Sequence, residues 1–280
     1  MTGAGQSPGP PQRAWSLDEL MFVEASRRLT GAQAIFVGSG ISFAAAMLAQ
    51  RIHAPCATML VDSGAVGPRF GELPRSVTDR HVTNSAVRLG SMREVLGMLV
   101  RRPGVVAILG AAEVDRFGNV NSTYVGREGG PPRRLPGSGG ATAVAWSAER
   151  WVLLLRHERR RFPARVGFIS SPGYIEGPDV RGRLGLSAAR PLISVVTDLC
   201  VMETSRASGL LEVAAVMPDV SIEEVYARTG FRPSARTPLG VVAHPTDEEI
   251  TTLRTIDPTG LYVRGIAGRS LSSARAGEES

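Results

Sequence analysis

The stretch AIFVGSGISFAAAMLAQRIHAPCATMLV, Ala34 to Val61, decides the fold. Its first four residues, Ala34 to Val37, read as a buried strand running into Gly38, Ser39 and Gly40. The alanine-rich stretch from Ser42 to Ile52 is helical, and Cys56 to Val61 is a second apolar strand. Strand, helix and strand in that order make a β-α-β unit, the building block of a parallel sheet.

Outward from that unit the pattern repeats. Upstream, Leu17 to Leu29 carries apolar residues at helical spacing behind Ser16, which suits an N-cap, and Asp18 and Glu19 fall in the first turn where the helix dipole favours acids. Gly31 ends that helix. Downstream, the segments Val105 to Leu109, Trp151 to Leu155, Val166 to Ser170 and Ile193 to Thr197 read as further buried strands. Ser221 to Thr229 and Thr246 to Ile256 each begin with a capping-box pattern, Ser221 with Glu224 and Thr246 with Glu249. The expected architecture is an α/β fold with an open, mostly parallel sheet and helices on both faces, which binds ligands beyond the carboxyl ends of its strands. Residues 15–266 are expected to form one domain between a Gly/Pro-rich disordered tail at 1–14 and a loose tail at 267–280.

Composition narrows the function classes. The chain has 280 residues and 43% hydrophobic content, enough for one sizeable core. Its apolar runs fall short of the roughly 18 residues of a membrane span, and the N-terminal segment lacks the basic start and apolar centre of a secretory signal, so a soluble, cytoplasmic protein is expected. Cys56 and Cys200 are the two cysteines, read as buried thiols without redox or metal chemistry. The net charge of +6 comes entirely from arginine, for the sequence contains no lysine. That removes Schiff-base enzymes and P-loop nucleotidases, which need a lysine. The basic residues are spread along the chain and aromatics are few, which disfavours nucleic acid as a partner. Arginine does suit a polyanionic small ligand, because its planar fork donates two parallel hydrogen bonds to a phosphate.

Three clusters carry candidate chemistry. The turn FVGSGISFA resembles a dinucleotide-binding loop, but Phe43 stands where the third glycine belongs and its ring opposes close helix-to-strand packing. The segment GAAEVDRFGNVNST, Gly110 to Thr123, joins tight-turn residues Asp115, Gly118 and Asn119. It is followed by Gly137-Ser138-Gly139-Gly140, where backbone N–H groups can approach a developing negative charge, unless the run is a plain flexible turn. The third cluster is Asp62-Ser63-Gly64, a carboxylate at the tip of a strand, suited to nucleophilic or general-base work or simply to turn formation. The four histidines, His53, His81, His157 and His244, show no metal-ligand spacing, so no metal site is expected. The basic run Arg156 to Arg161 reads as a solvated or subunit-facing surface.

The order of the clusters adds a resemblance. VDSGAVG, LPRSVTD, GAAEVDRFGNVNST, GSGGA, RHERRRF, SSPGYIEGP, RLGL and VVTD together resemble the β subunit of glutaconate-type CoA-transferases, of the class I CoA-transferase family, over a stretch from about Asp18 to Tyr262. The resemblance implies an α-subunit partner in a hetero-oligomer, acyl-CoA and a carboxylic acid as substrates, and no tightly bound cofactor, coenzyme A entering as part of the substrate. It further implies a catalytic glutamate in an E-S-G turn that attacks the thioester and becomes a mixed anhydride and then a glutamyl-CoA thioester. Asp62 occupies that position here, and Gly139 matches the backbone amide that holds the thioester oxygen. Ser63, Gly64, Gly110, Ala111, Glu113, Gly137, Ser138 and Gly140 are the residues expected to meet substrate or CoA.

Asp62 departs from the family's glutamate. One methylene fewer withdraws the carboxylate by about 1.5 Å, and a misplacement of about 1 Å costs on the order of a hundredfold in rate. Two alternatives follow. One is a hydrolase of an acyl-CoA or CoA-linked ring on the same scaffold, with Asp62 as general base for a water. The other is a catalytically silent β-like partner subunit.

Overall fold

A computed structural model of the chain describes residues 14–101, 104–127, 130–186 and 191–264. The expected tails at 1–14 and 267–280 lie outside the described residues except for Ala14. Helix α1 (Leu17–Arg27) opens with a complete capping box: Ser16 Oγ accepts from the Glu19 amide at 3.2 Å, and Glu19 Oε2 accepts from the Ser16 amide at 2.8 Å. The decisive unit follows as β1 (Ala34–Val37), α2 (Ser42–Leu48) and β2 (Thr58–Val61), with α2 continuing as a π-helical turn over Ala49–His53. Short strands β3 (Ala65–Val66) and β4 (Arg88–Leu89) flank α3 (Arg80–Asn84), and α4 (Met92–Arg101) leads to β5 (Val105–Gly110).

A chain of small elements comes next: hairpins β6 (Glu113–Val114) with β7 (Val120–Asn121) and β8 (Tyr124–Arg127) with β9 (Gly130–Arg134), then α5 (Ala141–Ser147). The remaining elements are β10 (Arg150–Leu154), α6 (Val180–Arg183), β11 (Leu192–Val196), β12 (Cys200–Thr204), β13 (Leu211–Val216), α7 (Ile222–Ala227), β14 (Ser234–Val241) and α8 (Asp247–Ile256).

Ten strands form one sheet in the order β14-β13-β12-β11-β10-β5-β1-β2-β3-β4. The five central strands, β11 to β2 in that order, are mutually parallel, as the hydrophobic runs require. Val105 to Leu109 is buried throughout, which only a strand covered on both faces can be. Antiparallel partners extend the block on both sides, β3 and β4 at one end and β12 and β13 at the other.

Strand β1 lies between β2 and β5, so the chain steps one way to β2 and the other way to β5. Crossovers between parallel strands are right-handed, which puts α2 and α4 on opposite faces. Helices α1, α2 and α8 pack together on one face, and α4 packs against α5. The reversal at β1 opens a crevice beyond the carboxyl ends of β1, β2 and β5, the usual ligand position in such sheets.

Four expectations are corrected. Val166 to Ser170 is not a strand but an irregular segment ending near the isolated bridge between Val120 and Ser171. Its apolar residues face outward, with Phe168 and Ile169 among the exposed hydrophobics. Cys56 is exposed while Cys200 is buried. The run Arg156 to Arg161 is not simply solvated: Arg156 bridges Asp18 at 2.8 Å and Asp198 at 2.9 Å, and His157 is buried. Phe43 does not obstruct packing but fills the core, edge-on to Phe70.

Candidate active site

Asp62 follows directly on Val61, the last residue of β2. The chain turns at once, Gly64 N–H donating to the Val61 carbonyl at 3.0 Å. Gly64 adopts φ +106°, and a β-carbon there would stand 2.0 Å from the Gly90 carbonyl oxygen, so no other residue fits beside the edge strand. This turn leaves the Asp62 side chain facing the crevice. Its Oδ1 is buried without a hydrogen-bond partner, and so is Ser63 Oγ. Burial raises the Asp62 pKa above the ordinary carboxylate value, while the backbone N–H groups of Gly140 and Ser63 pull it part of the way back.

The G-S-G-G run closes over this carboxylate. A β-carbon at Gly139, which has φ +49°, would lie 3.5 Å from Asp62 Oδ2. One at Gly140 would lie 3.4 Å from Asp62 Cβ and collide with Phe36 Cζ at 2.6 Å. Glycine is therefore needed at 140 for packing on β1, and at 139 for the left-handed turn that brings backbone to the carboxylate.

What holds this loop is a hydrogen-bonded scaffold built from the D-R-F-G-N turn. Asp115, buried, accepts from the amides of Phe117 (2.9 Å) and Asn119 (3.1 Å) and from Asn119 Nδ2 (3.0 Å). Asn119 in turn accepts at Oδ1 from the amides of Gly173 and Ile175, both at 2.9 Å, and donates to the Ile175 carbonyl. Residues 170–175 are thereby fixed, and Ser170 becomes a hub. Its Oγ accepts from the Ser122 amide at 2.8 Å and meets Thr123 Oγ1 at 2.7 Å, while its carbonyl accepts from Thr142 Oγ1 of α5 at 3.1 Å. The carbonyls of Ser122 and Thr123 then accept from the amides of Gly137 and Leu135, each at 2.8 Å. Both ends of the glycine loop are thus tied to one scaffold. Buried Arg181 clamps the far side, donating to the carbonyls of Pro172, Gly173 and Ala145.

The structure brings Asp62, Ser63, Gly64, Gly139 and Gly140 together, with Gly137 and Ser138 forming the approach to the loop. Gly110 and Ala111 sit at the carboxyl end of β5, where a β-carbon at Gly110 would be 3.7 Å from Ile41 Cγ1 at the entry to α2. Glu113 is held elsewhere: its Oε2 accepts from Asn121 Nδ2 at 2.7 Å inside the β6–β7 hairpin. Sequence reasoning missed Ser170, Thr123 and Thr142, since hydroxyl residues in loops carry no pattern until their partners are seen. Within the dinucleotide-like loop, Gly38 is required by packing, because a β-carbon there would meet Leu109 Cδ2 at 2.9 Å.

Fold and site define a doubly wound α/β enzyme subunit that presents a desolvated carboxylate to a cradle of backbone amides. The chain belongs to the coenzyme A transferase family, whose model, described as Coenzyme A transferase, matches residues 20–228. It is 35% identical over 256 residues to the β subunit of 3-oxoadipate CoA-transferase of Pseudomonas knackmussii, covering 91% of this chain and 98% of that one. It is 33% identical over 218 residues to the β subunit of glutaconate CoA-transferase of Acidaminococcus fermentans, covering 76% and 82%. The crystal structure of glutaconate coenzyme A-transferase from Acidaminococcus fermentans superposes with a TM-score of 0.82 at 30% identity, over 89% of this chain and 98% of that one.

Proposed function

We propose that the chain is the β-type subunit of a hetero-oligomeric CoA-transferase, completed by an α-type subunit, with Asp62 as nucleophile. The observation that carries this reading is the Asp62 carboxylate, desolvated and unpartnered at Oδ1, lying under the Gly139–Gly140 backbone. A carboxylate oxygen that is out of water and has no hydrogen bond of its own, as Oδ1 is here, is a stronger nucleophile than a solvated one. Asp62 oxygen attacks the thioester carbonyl carbon, the C–S bond breaks, and CoA leaves as thiolate, giving an acyl-aspartyl anhydride. The thiolate attacks the aspartyl carbonyl and expels the first carboxylate, leaving an aspartyl-CoA thioester. An acceptor carboxylate repeats the steps in reverse and departs as its own CoA ester. The Gly139 N–H is the donor to the oxyanion that forms at each attack. Because every bond broken is replaced by one of the same kind, no tightly bound cofactor is required, and coenzyme A takes part as substrate. We place the protein in the cytoplasm; among the described residues no helix is long and apolar enough to cross a membrane.

The short side chain of Asp62 supports a second reading, hydrolysis with Asp62 as general base for a water beside the unpartnered Oδ1. One experiment separates the two. The purified complex with its α-type subunit is mixed with acyl-CoA, with and without a carboxylic acid acceptor, while CoA is followed and this chain is weighed by mass spectrometry. Transfer predicts acceptor-dependent exchange and a chain heavier by one CoA less water, absent in Asp62→Asn. Acceptor-independent release of free CoA without an adduct establishes hydrolysis. Unchanged turnover in Asp62→Asn removes both and leaves a silent subunit.

A further inference from the structure

Ile175 is held in a conformation that its own side chain opposes. Its φ is +63°, in the left-handed region, and among the described residues the one other non-glycine there is Asp219, a residue type that turns accommodate. Ile175 takes the second position of a tight turn that the Gly177 amide closes on the Tyr174 carbonyl at 3.0 Å, a position suited to glycine or asparagine when φ is positive. A β-branched residue there is disfavoured by roughly ten- to a hundredfold against its extended conformations, and it persists only where its surroundings over-determine it. A single side chain supplies the clasp. Asn119 Oδ1 accepts from the Ile175 amide at 2.9 Å and Asn119 Nδ2 donates to the Ile175 carbonyl at 2.9 Å, so one carboxamide grips both backbone groups of the strained residue. Asp115 Oδ2 accepts from the same Nδ2 at 3.0 Å and fixes which way the carboxamide faces. Asp115 and Asn119 are both buried, so water does not stand in for these bonds.

The strained turn closes a loop that holds α5 at two points. The Ser170 carbonyl accepts from Thr142 Oγ1 in the first turn of α5 at 3.1 Å, and Arg181, bound to the carbonyls of Pro172 and Gly173, donates to the Ala145 carbonyl at 2.7 Å. Helix α5 begins directly after Gly140, whose backbone N–H bonds the Asp62 carboxylate. A shift of the loop is therefore a shift of the amide over the reacting group. Released from the clasp, Ile175 would leave the left-handed region for an extended one, and the loop would move with it. We propose that Asn119 is a positioning residue for the reaction: by clasping Ile175 in its left-handed turn it locks the loop at 170–175, and through α5 it sets the height of the Gly139–Gly140 backbone over Asp62. The inference rests on the reading of Asp62 as the reacting carboxylate and deepens it by naming what fixes the distance. A lock that works against strain has a signature that plain packing lacks. Asn119 is needed because Ile175 resists, so Ile175→Gly makes it dispensable.

The test is a cycle of Asn119→Ala and Ile175→Gly in the complex with its α-type subunit. It is read by kcat and KM for CoA exchange, by the pH profile of kcat/KM, and by deuterium exchange of the amides at 135–141. With Ile175 in place, Asn119→Ala is expected to lower kcat by on the order of ten- to a hundredfold at nearly constant KM, since a displacement of about 1 Å costs about that much. The acid limb should move to higher pH, because the Gly140 N–H no longer holds the Asp62 pKa down. The amides at 135–141 should exchange about tenfold faster. In the Ile175→Gly background the same substitution is expected to change each readout by less than about threefold, the coupling that residues in direct contact show. Equal losses of kcat in the two backgrounds overturn the proposal. So does an acid limb that stays in place while the melting temperature falls, the mark of a merely structural residue. Asn119→Asp is the second variant, should the alanine chain not assemble: it is isosteric, keeps an acceptor for the Gly173 and Ile175 amides, and loses the donor to the Ile175 carbonyl. It should show the same shifts at smaller size and the same reversal by Ile175→Gly, and a wild-type pH profile and exchange rate in it refute the lock. Deuterium exchange needs no turnover. Amides at 135–141 that loosen in Asn119→Ala and tighten again with Ile175→Gly, in a complex that transfers no CoA, uphold the lock and remove the transferase reading instead.

Discussion

Replacing Gly139 by alanine tests the geometry of the site most directly. The residue has φ +49°, a left-handed conformation that costs an L-residue roughly 1–2 kcal/mol. The strain is expected to lower the melting temperature by roughly 2–6 °C in a chain of this size. The new methyl would stand 3.5 Å from Asp62 Oδ2, an ordinary contact, so the chain still packs. That space is nevertheless the space a thioester carbonyl carbon must enter, since reacting atoms have to come within about 3–3.5 Å. Pushing the carbonyl back by about 1 Å costs on the order of a hundredfold in rate, or about 2.7 kcal/mol in the barrier. Gly31→Ala is the control. Gly31 has φ +75° and open space where its β-carbon would be, so it reports the strain alone. The assay is kcat/KM for CoA exchange in the assembled complex, with melting curves for both variants. If Gly139→Ala melts like Gly31→Ala and keeps kcat/KM within about twofold of wild type, Gly139 is a turn residue and the proposed cradle is wrong.

Other expectations follow from the same contacts. Asp62→Asn should abolish turnover yet raise the melting temperature, because it removes a buried, half-satisfied charge. In the wild type the acid limb of kcat/KM should lie above the ordinary aspartate value of 3.8, since Asp62 must be ionised and burial raises its pKa. Ser170→Ala should leave the Ser122 amide unsatisfied, at about 1–3 kcal/mol of stability, and lower kcat more than it changes KM, whereas Ser170→Thr should recover part of the loss. A further expectation concerns pH and His157, which burial depresses from 6.5 to about 4. The unfolded chain binds this proton first, so stability is full above about pH 6.5 and is lost as the pH falls toward 4. The expected loss is about 3 kcal/mol. Denaturant titrations across that window should show the slope, and His157→Gln should flatten it; an equal slope in the variant would assign it to other groups.

The sheet's parallel centre was legible in the sequence because strands buried on both faces are apolar at every position, as Ala34 to Val37 and Val105 to Leu109 are. Helices α1 and α8 were legible for a local reason too, since Ser16 with Glu19 and Thr246 with Glu249 close their capping boxes within one turn. The segment Val166 to Ser170 deceived because its apolar residues are turned outward, which composition does not reveal. Asp62 and the glycine run were each visible as turns that could carry chemistry, and their order along the chain resembled one family.

Sequence alone therefore determined the α/β scaffold, the family likeness and the residue types at the candidate site, all of which depend on local pattern. Only the tertiary structure decided that Gly139 and Gly140, more than seventy residues downstream, lie over Asp62. It also decided that Asp115, Asn119 and Ser170 hold them there. These facts come from hydrogen bonds and close contacts between distant segments. No local pattern encodes them, because a buried polar group takes whichever partner the packed chain brings within reach.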